Sequence, residues 1–151
     1  MLERFAMINI TKETSVSIDD VLHLYQAVSW TNYTNQPQML EQSLTHSLAI
    51  YVARDGEEIV GLVRLVGDGF SSVFVQDLIV LPSYQRQGIG SNLMKEALTD
   101  YKGAYQVQLA TEQTEKTLGF YRSLGFETLS TYDCTGMIWV DRKKIKIILL
   151  S

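Results

Sequence analysis

A chain of 151 residues with 46% apolar and 20% charged residues is long enough for one sizeable core and too ordinary in composition for a disordered or fibrous protein. A formal charge of -4 and the lack of any long Lys/Arg block argue against a phosphate-backbone binder, so no nucleic-acid partner is expected. Cys134 is the only cysteine and allows no internal disulfide; without a secretory leader or an apolar run of membrane length, the expectation is one cytoplasmic domain that does not enter the membrane.

The first strand is predicted in "FAMINIT" from Phe5, which alternates apolar and polar residues. Ser17 then offers an N-cap with Asp19 and Asp20 in the first turn, which predicts a helix through about Ser29. "WTNYTNQ", with Trp30 and Tyr33, reads as a polar connection or as a surface loop over a pocket. Pro37 in a first-turn position, with Met39, Leu40 and Leu44 on one side, predicts a second short helix. "LAIYVAR" and "EIVGLVRLV" are β-rich runs joined through Asp55 and Gly56, a hairpin signal, and "FSSVFVQDLIVL" adds a third strand of the meander that Pro82 ends.

After two closely spaced glycines, Ile89, Leu93, Ala97 and Tyr101 recur every fourth residue, with Met94 and Leu98 widening the stripe; Gly103 is a natural stop. "AYQVQLA" alternates Tyr105, Val107 and Leu109 against two glutamines, a strand pattern. Thr114 can cap a short helix ending near Gly125, and strands are expected in "FETLSTY" and "GMIWVDR". The tail "KIKIILLS" is apolar enough to pair as an edge strand or to pack against a second subunit, which points to a possible homodimer. The meander demands antiparallel pairs, whereas a strand, a crossover helix and a further strand can make a parallel one. The fold class is therefore mixed α/β.

The stretch "QRQGIGSNLMK" runs from the end of a strand through two glycines into a helix. A dinucleotide fingerprint needs a third glycine where Leu93 stands, and a P-loop needs a lysine directly after a suitably spaced glycine, which Lys95 is not. What remains is Gln85-x-x-Gly88-x-Gly90 with Arg86 inside the turn. Unpaired amides at a helix start favour an anion, and absent Cβ atoms let it approach. A tight strand-to-helix turn with no ligand is the competing account.

"DLIVLPSYQRQGIGSNLM" resembles the acetyl-CoA-binding motif of the GCN5-related N-acetyltransferase (GNAT) superfamily, and "LGFYRSLGFE" is similar to its second signature; the likeness covers residues 58–140. The resemblance implies a mainly antiparallel mixed sheet with helices on both faces. It also implies that Gln85, Arg86, Gln87, Gly88, Ile89, Gly90 and Ser91 cradle the CoA pyrophosphate with backbone amides, and that Leu78, Ile79 and Val80 offer main-chain groups to the pantetheine arm and acetyl carbonyl. Tyr121 falls where the family often places the general acid for the departing thiolate. Seven residues earlier, where many relatives carry a cofactor-binding Asn, this chain has Thr114.

A general base does not transfer cleanly from the family. Asp77 is the first candidate and Glu112 the second, while Arg64 and Asp68 are candidates for binding substrate. His23 and His46 lack a metal-ligand spacing, and no metal is implied. The expected activity is transfer of an acetyl group from acetyl-CoA to a primary amine of a small-molecule or peptide acceptor. A non-catalytic CoA-binding sensor or interaction module stays open, as does a different acyl donor.

Overall fold

The computed structural model describes residues 7–141. These residues fall into two compact units, one running to Leu109 and the other starting at Ala110.

The first unit holds β1 (Ile8–Glu13), α1 (Ile18–Ala27), α2 (Thr31–Thr34), α3 (Pro37–Thr45), β2 (Ala49–Asp55), β3 (Glu58–Gly67), β4 (Ser72–Val80), α4 (Ile89–Tyr101) and β5 (Gln106–Leu109). Its five strands lie in chain order, antiparallel from β1 to β4, with β5 parallel to β4. Short turns join β2 to β3 and β3 to β4, the helices α1 to α3 run between β1 and β2, and the parallel pair needs a long return path, which α4 supplies. The expected meander, and the helix and strand that follow it, are therefore present.

Helices cover both faces of this sheet. Opposed residues share a face, so Leu62 and Ile79 lie on one side together with Arg64 and Asp77. Against Leu62 and Ile79 pack Val21, Leu24 and Tyr25 of α1, Tyr33 of α2, and Leu40 and Leu44 of α3. Gly61 lies on the opposite face, where a Cβ would stand 3.3 Å from Leu93 Cδ1 and 3.5 Å from Ile89 Cγ2. The missing side chain lets α4 lie close on β3, while the buried stripe Ile89, Leu93, Met94 and Ala97 holds it there. Tyr51 of β2 adds a polar tie, its hydroxyl 2.5 Å from Asp100 of α4.

Two local features set the site. Arg64 is opposite Asp77 but Leu65 is opposite Val75, so Gln76 has no partner residue and makes a bulge in β4. The segment read as a polar connection contains the single-turn helix α2. α1 stops two residues before the expected end, and Ser29 takes the left-handed conformation (φ 58°) that usually calls for glycine. The amides of Ser29 and Trp30 then return to the carbonyls of Gln26 and Tyr25, at 3.0 and 3.1 Å.

In the second unit, α5 (Glu115–Ser123) begins as expected at Thr114, whose hydroxyl accepts the Thr117 amide at 3.1 Å. The strands expected in "FETLSTY" and "GMIWVDR" are absent among the described residues. Leu129–Tyr132 is a 3-10 turn instead. There the Thr128 hydroxyl bonds those of Ser130 and Thr131 at 3.0 and 3.3 Å, local bonds that compete with a ladder. Met137, Ile138 and Trp139 have strand-forming side chains but no strand beside them among the described residues, and strand propensity alone does not make a strand. The tail "KIKIILLS", and Phe5 and Ala6 of the first predicted strand, lie outside the described residues.

Candidate functional site

β4 ends at Val80, and the chain passes through a 3-10 turn, Pro82–Tyr84, toward α4. Two side chains fix this connection. The Tyr84 hydroxyl donates to Asp55 Oδ2 at 2.6 Å, and Gln85 Nε2 donates to the Val80 carbonyl at 3.1 Å. Arg86 (φ 64°) and Gly88 (φ 81°) are both left-handed. A Cβ at Gly88 would meet nothing within 4 Å, so glycine is favoured there by the backbone angle and not by crowding from the protein.

The Asn92 amide reaches the Gly88 carbonyl at 3.0 Å as α4 begins, leaving Ile89, Gly90 and Ser91 as the first-turn amides with no partner inside the helix. Gly88 has no side chain to cap them, and no acid lies in the first turn. These residues fit an anion: the amides, the positive end of the helix dipole and the exposed Arg86 side chain favour negative charge.

β4 itself has an open side. Leu78, Ile79 and Val80 pair with Val63, Leu62 and Gly61 of β3, but β5 pairs with β4 only from Ser72 to Val75. From the Gln76 bulge onward, no described strand lies along the other edge. Apart from the Val80 carbonyl, which Gln85 holds, the main-chain groups of Leu78 to Val80 that point away from β3 have no strand partner among the described residues, and this edge lies next to the turn that fits an anion.

Asp77 is 2% exposed and accepts from three side chains. Arg64 Nε and the Tyr25 hydroxyl approach Oδ2 at 2.7 and 2.8 Å, and the Tyr33 hydroxyl approaches Oδ1 at 2.9 Å. Arg64 also reaches the Tyr33 hydroxyl at 3.1 Å and Ser47 of the segment after α3 at 3.3 Å. Burial, then the Asp77 charge, pushes both tyrosines above their ordinary range, so each is a proton donor at neutral pH. Burial acts to lower the Arg64 pKa, but the charge and hydrogen bond of Asp77, together with Tyr33 and Tyr25, raise it on balance and keep the guanidinium charged. Neither tyrosine was singled out for this from the sequence; the signal available was a pair of tyrosines flanking the aromatic segment at Trp30.

The other candidates are dispersed. Asp68 folds its own loop, its Oδ1 accepting the amides of Phe70, Ser71 and Ser72 at 2.7, 2.8 and 3.1 Å, while Oδ2 takes the Ser71 hydroxyl. The hydrogen bond from the Ser71 side chain and those from the amides lower its pKa. His23 donates from Nε2 to the Ile59 carbonyl at 2.7 Å, and His46 from Nδ1 to the Gln42 carbonyl at 2.8 Å. Glu112 is exposed in the second unit.

In that unit, Tyr121 lies edge-on to Phe120 and Phe126, with ring centroids 5.0 and 5.9 Å away. Burial raises its hydroxyl pKa, and among the described residues of its unit no hydrogen bond holds the hydroxyl. Thr114, at the position where the resemblance leads to an expectation of Asn, spends its hydroxyl on the cap of α5.

Residues 46–128 match the family model of the acetyltransferase (GNAT) domain. A GNAT-family acetyltransferase from Streptococcus pneumoniae TIGR4 is 74% identical, with a TM-score of 0.84 over 90% of this chain and 99% of that one. A chloroplastic serotonin N-acetyltransferase of Oryza sativa subsp. japonica is 30% identical over 95 residues, 60% of this chain; this chain spans 48% of that protein's length. A GNAT-family acetyltransferase from Elizabethkingia anophelis, solved with acetyl-CoA bound, shares the fold at 24% identity and a TM-score of 0.59, covering 80% of this chain and 76% of that one.

Proposed function

The chain belongs to the GNAT acetyltransferase family, and from that premise we propose that it transfers the acetyl group of acetyl-CoA directly to a primary amine of a small-molecule or peptide acceptor. The observation that carries this reading is the start of α4, where three first-turn amides lie without a side-chain cap behind the left-handed Arg86 and Gly88. Acetyl-CoA supplies a thioester carbonyl already activated toward an amine.

In this reading the amides of Ile89, Gly90 and Ser91, with Arg86 and Gln87 beside them, hold the pyrophosphate. Main-chain groups of Leu78, Ile79 and Val80 align the pantetheine arm and meet the negative charge that develops on the carbonyl oxygen. The Gln85 side chain braces the strand end through its bond to the Val80 carbonyl, so its part in the cradle falls to its backbone. Tyr121, kept protonated by burial, gives its proton to the departing thiolate. Much of the acceleration comes from holding amine and carbonyl together.

The amine must arrive neutral, or lose its proton first. Asp77 is the sequence's candidate base, but its carboxylate is buried in an ion pair and two further hydrogen bonds. We assign it to positioning and give the proton to water. A homodimer also belongs to the proposal, supported by the exposed Met137, Ile138 and Trp139. A reducing, cytoplasmic setting suits the exposed thiol of Cys134.

The test is an acceptor panel with mass detection of product. It should include arylalkylamines, polyamines, amino sugars and peptides with free N-termini or lysines. Release of CoA thiol above the hydrolysis rate, with a matching acetylated product, is expected for at least one amine. Tight acetyl-CoA binding with no transfer to any amine would instead favour the sensor.

A further inference from the structure

The connection between α1 and α2 is held in a conformation it would not choose alone. Ser29 has φ 58°, a left-handed angle that a residue with a side chain adopts at a cost. Asn32 Oδ1, three residues on, is buried with no hydrogen-bond donor. The Ser29 turn is closed by two amide returns to α1, which leave its left-handed angle in place, and the four-residue helix α2 supplies no donor to Asn32 Oδ1. Such a segment keeps its shape only where its surroundings over-determine it.

The surroundings are the buried Arg64–Asp77 pair. Tyr25 near the end of α1 and Tyr33 within α2 donate to different oxygens of the same carboxylate, at 2.8 and 2.9 Å. Arg64 holds that carboxylate from β3 at 2.7 Å and continues to the Tyr33 hydroxyl and to Ser47. The tyrosine rings pack at a centroid distance of 5.0 Å, and Trp30 lies against both. Asp77 directly precedes Leu78, on the strand assigned above to the acetyl carbonyl. A single carboxylate thus joins the strained segment to that strand.

We propose that Arg64, Asp77, Tyr25 and Tyr33 form a positioning device that holds the strained α1–α2 segment in its acceptor-ready shape, so that amine binding depends on the two phenol donors while acetyl-CoA binding does not. The inference rests on the transfer reading above. It gives the buried ion pair a function that a merely stabilising pair would lack, because a well-packed apolar pair could stabilise as well.

The experiment compares wild type with Tyr33→Phe, Tyr25→Phe and the double variant, which keep the rings and remove the donors. Tyramine, spermidine and a lysine-containing tetrapeptide serve as acceptors. For an amine that wild type acetylates, the double variant should raise the acceptor KM by about ten-fold or more, with kcat changed less than about two-fold and acetyl-CoA Kd unchanged. Amide hydrogen exchange should accelerate at residues 28–36 and stay unaltered in β3 and β4. An unchanged acceptor KM, or exchange that quickens equally across α1 to β4, would overturn the positioning role and leave a structural one. A wild type that binds acetyl-CoA but acetylates none of the three amines would overturn the device as proposed. If it also failed the wider acceptor panel, the transfer reading would fall with it; silence of the wild type distinguishes this from a device failing in an active enzyme.

Discussion

Two residues allow the two ends of the proposed chemistry to be tested separately. Tyr121→Phe keeps the ring against Phe120 and Phe126 and removes only the hydroxyl, which has no hydrogen-bond partner among the described residues of its unit. Single-turnover rate should fall by about 10²- to 10⁴-fold while melting temperature and acetyl-CoA affinity hold; a stable variant of full activity would hand the acid role to water. The pH profile adds a second check. Burial raises the Tyr121 pKa above its ordinary 10.0, so the acid form persists through neutrality, and any alkaline loss from this group should begin only above pH 10. A fall centred near pH 8 in wild type that Tyr121→Phe leaves in place belongs to another group. Gly90 tests the other end of the ligand. It is half-buried in the first turn of α4 and does not have a positive φ, so Gly90→Val adds bulk where the anion would lie without requiring a forbidden angle. Acetyl-CoA affinity should weaken by roughly 2–3 kcal/mol, which calorimetry on the folded variant would measure, if close approach is the reason for glycine.

The strands and helices of the first unit were legible because their apolar spacing matched what they bury. The Ile89, Leu93 and Ala97 stripe predicted the face of α4 that meets Gly61, and the Asp55–Gly56 pair marked the β2–β3 hairpin. α2 was not legible, since its four residues have no periodicity and depend on Tyr33 reaching a carboxylate 44 positions later. The final strands were over-read for the opposite reason: composition reports strand propensity but not whether a ladder partner exists. In the site, the glycine turn was readable from local rules, whereas the Asp77 environment was not, because its partners come from α1, α2 and β3. Two element-level predictions follow from these contacts. Gly61→Ala places a Cβ 3.0 Å from the Ile79 carbonyl and 3.3 Å from Leu93, so urea unfolding should show a loss of about 1–3 kcal/mol; an unchanged midpoint would mean that α4 can shift outward freely. Alkali should weaken the fold as well. Tyr25, Tyr33 and Tyr51 all have pKa values raised above 10.0, chiefly by burial, so above that pH the unfolded chain releases protons that the folded chain keeps. Stability is fully present below pH 10 and falls as pH rises through the folded values, and the triple Phe variant should flatten that fall.

At the scale of the whole molecule, apolar cover is unevenly distributed. The first unit has a closed core in which Val21, Leu24, Leu40, Leu62 and Leu93 are fully buried. From Ala110 to the end of the described residues, no side chain is fully buried, although Leu118, Phe120, Tyr121, Leu124 and Phe126 are all there. Three consecutive large apolar residues, Met137, Ile138 and Trp139, are 95, 70 and 87% exposed. A run of that kind invites cover, and an extended apolar segment is matched most simply by the same segment of another copy about a two-fold axis. Light scattering of wild type at micromolar concentration should therefore give the mass of a homodimer, and Ile138→Lys with Trp139→Lys should halve it. Deleting residues 144–151 locates the contact further: a truncated protein that stays dimeric places the interface on the Met137 to Trp139 run, and one that becomes monomeric places it on the tail. Near-ultraviolet fluorescence gives an independent reading, because Trp139 should shift to shorter wavelength as concentration brings copies together, while Trp30, already packed against Tyr25 and Tyr33, should not. Monomer mass in all three proteins, with emission independent of concentration, would refute the homodimer.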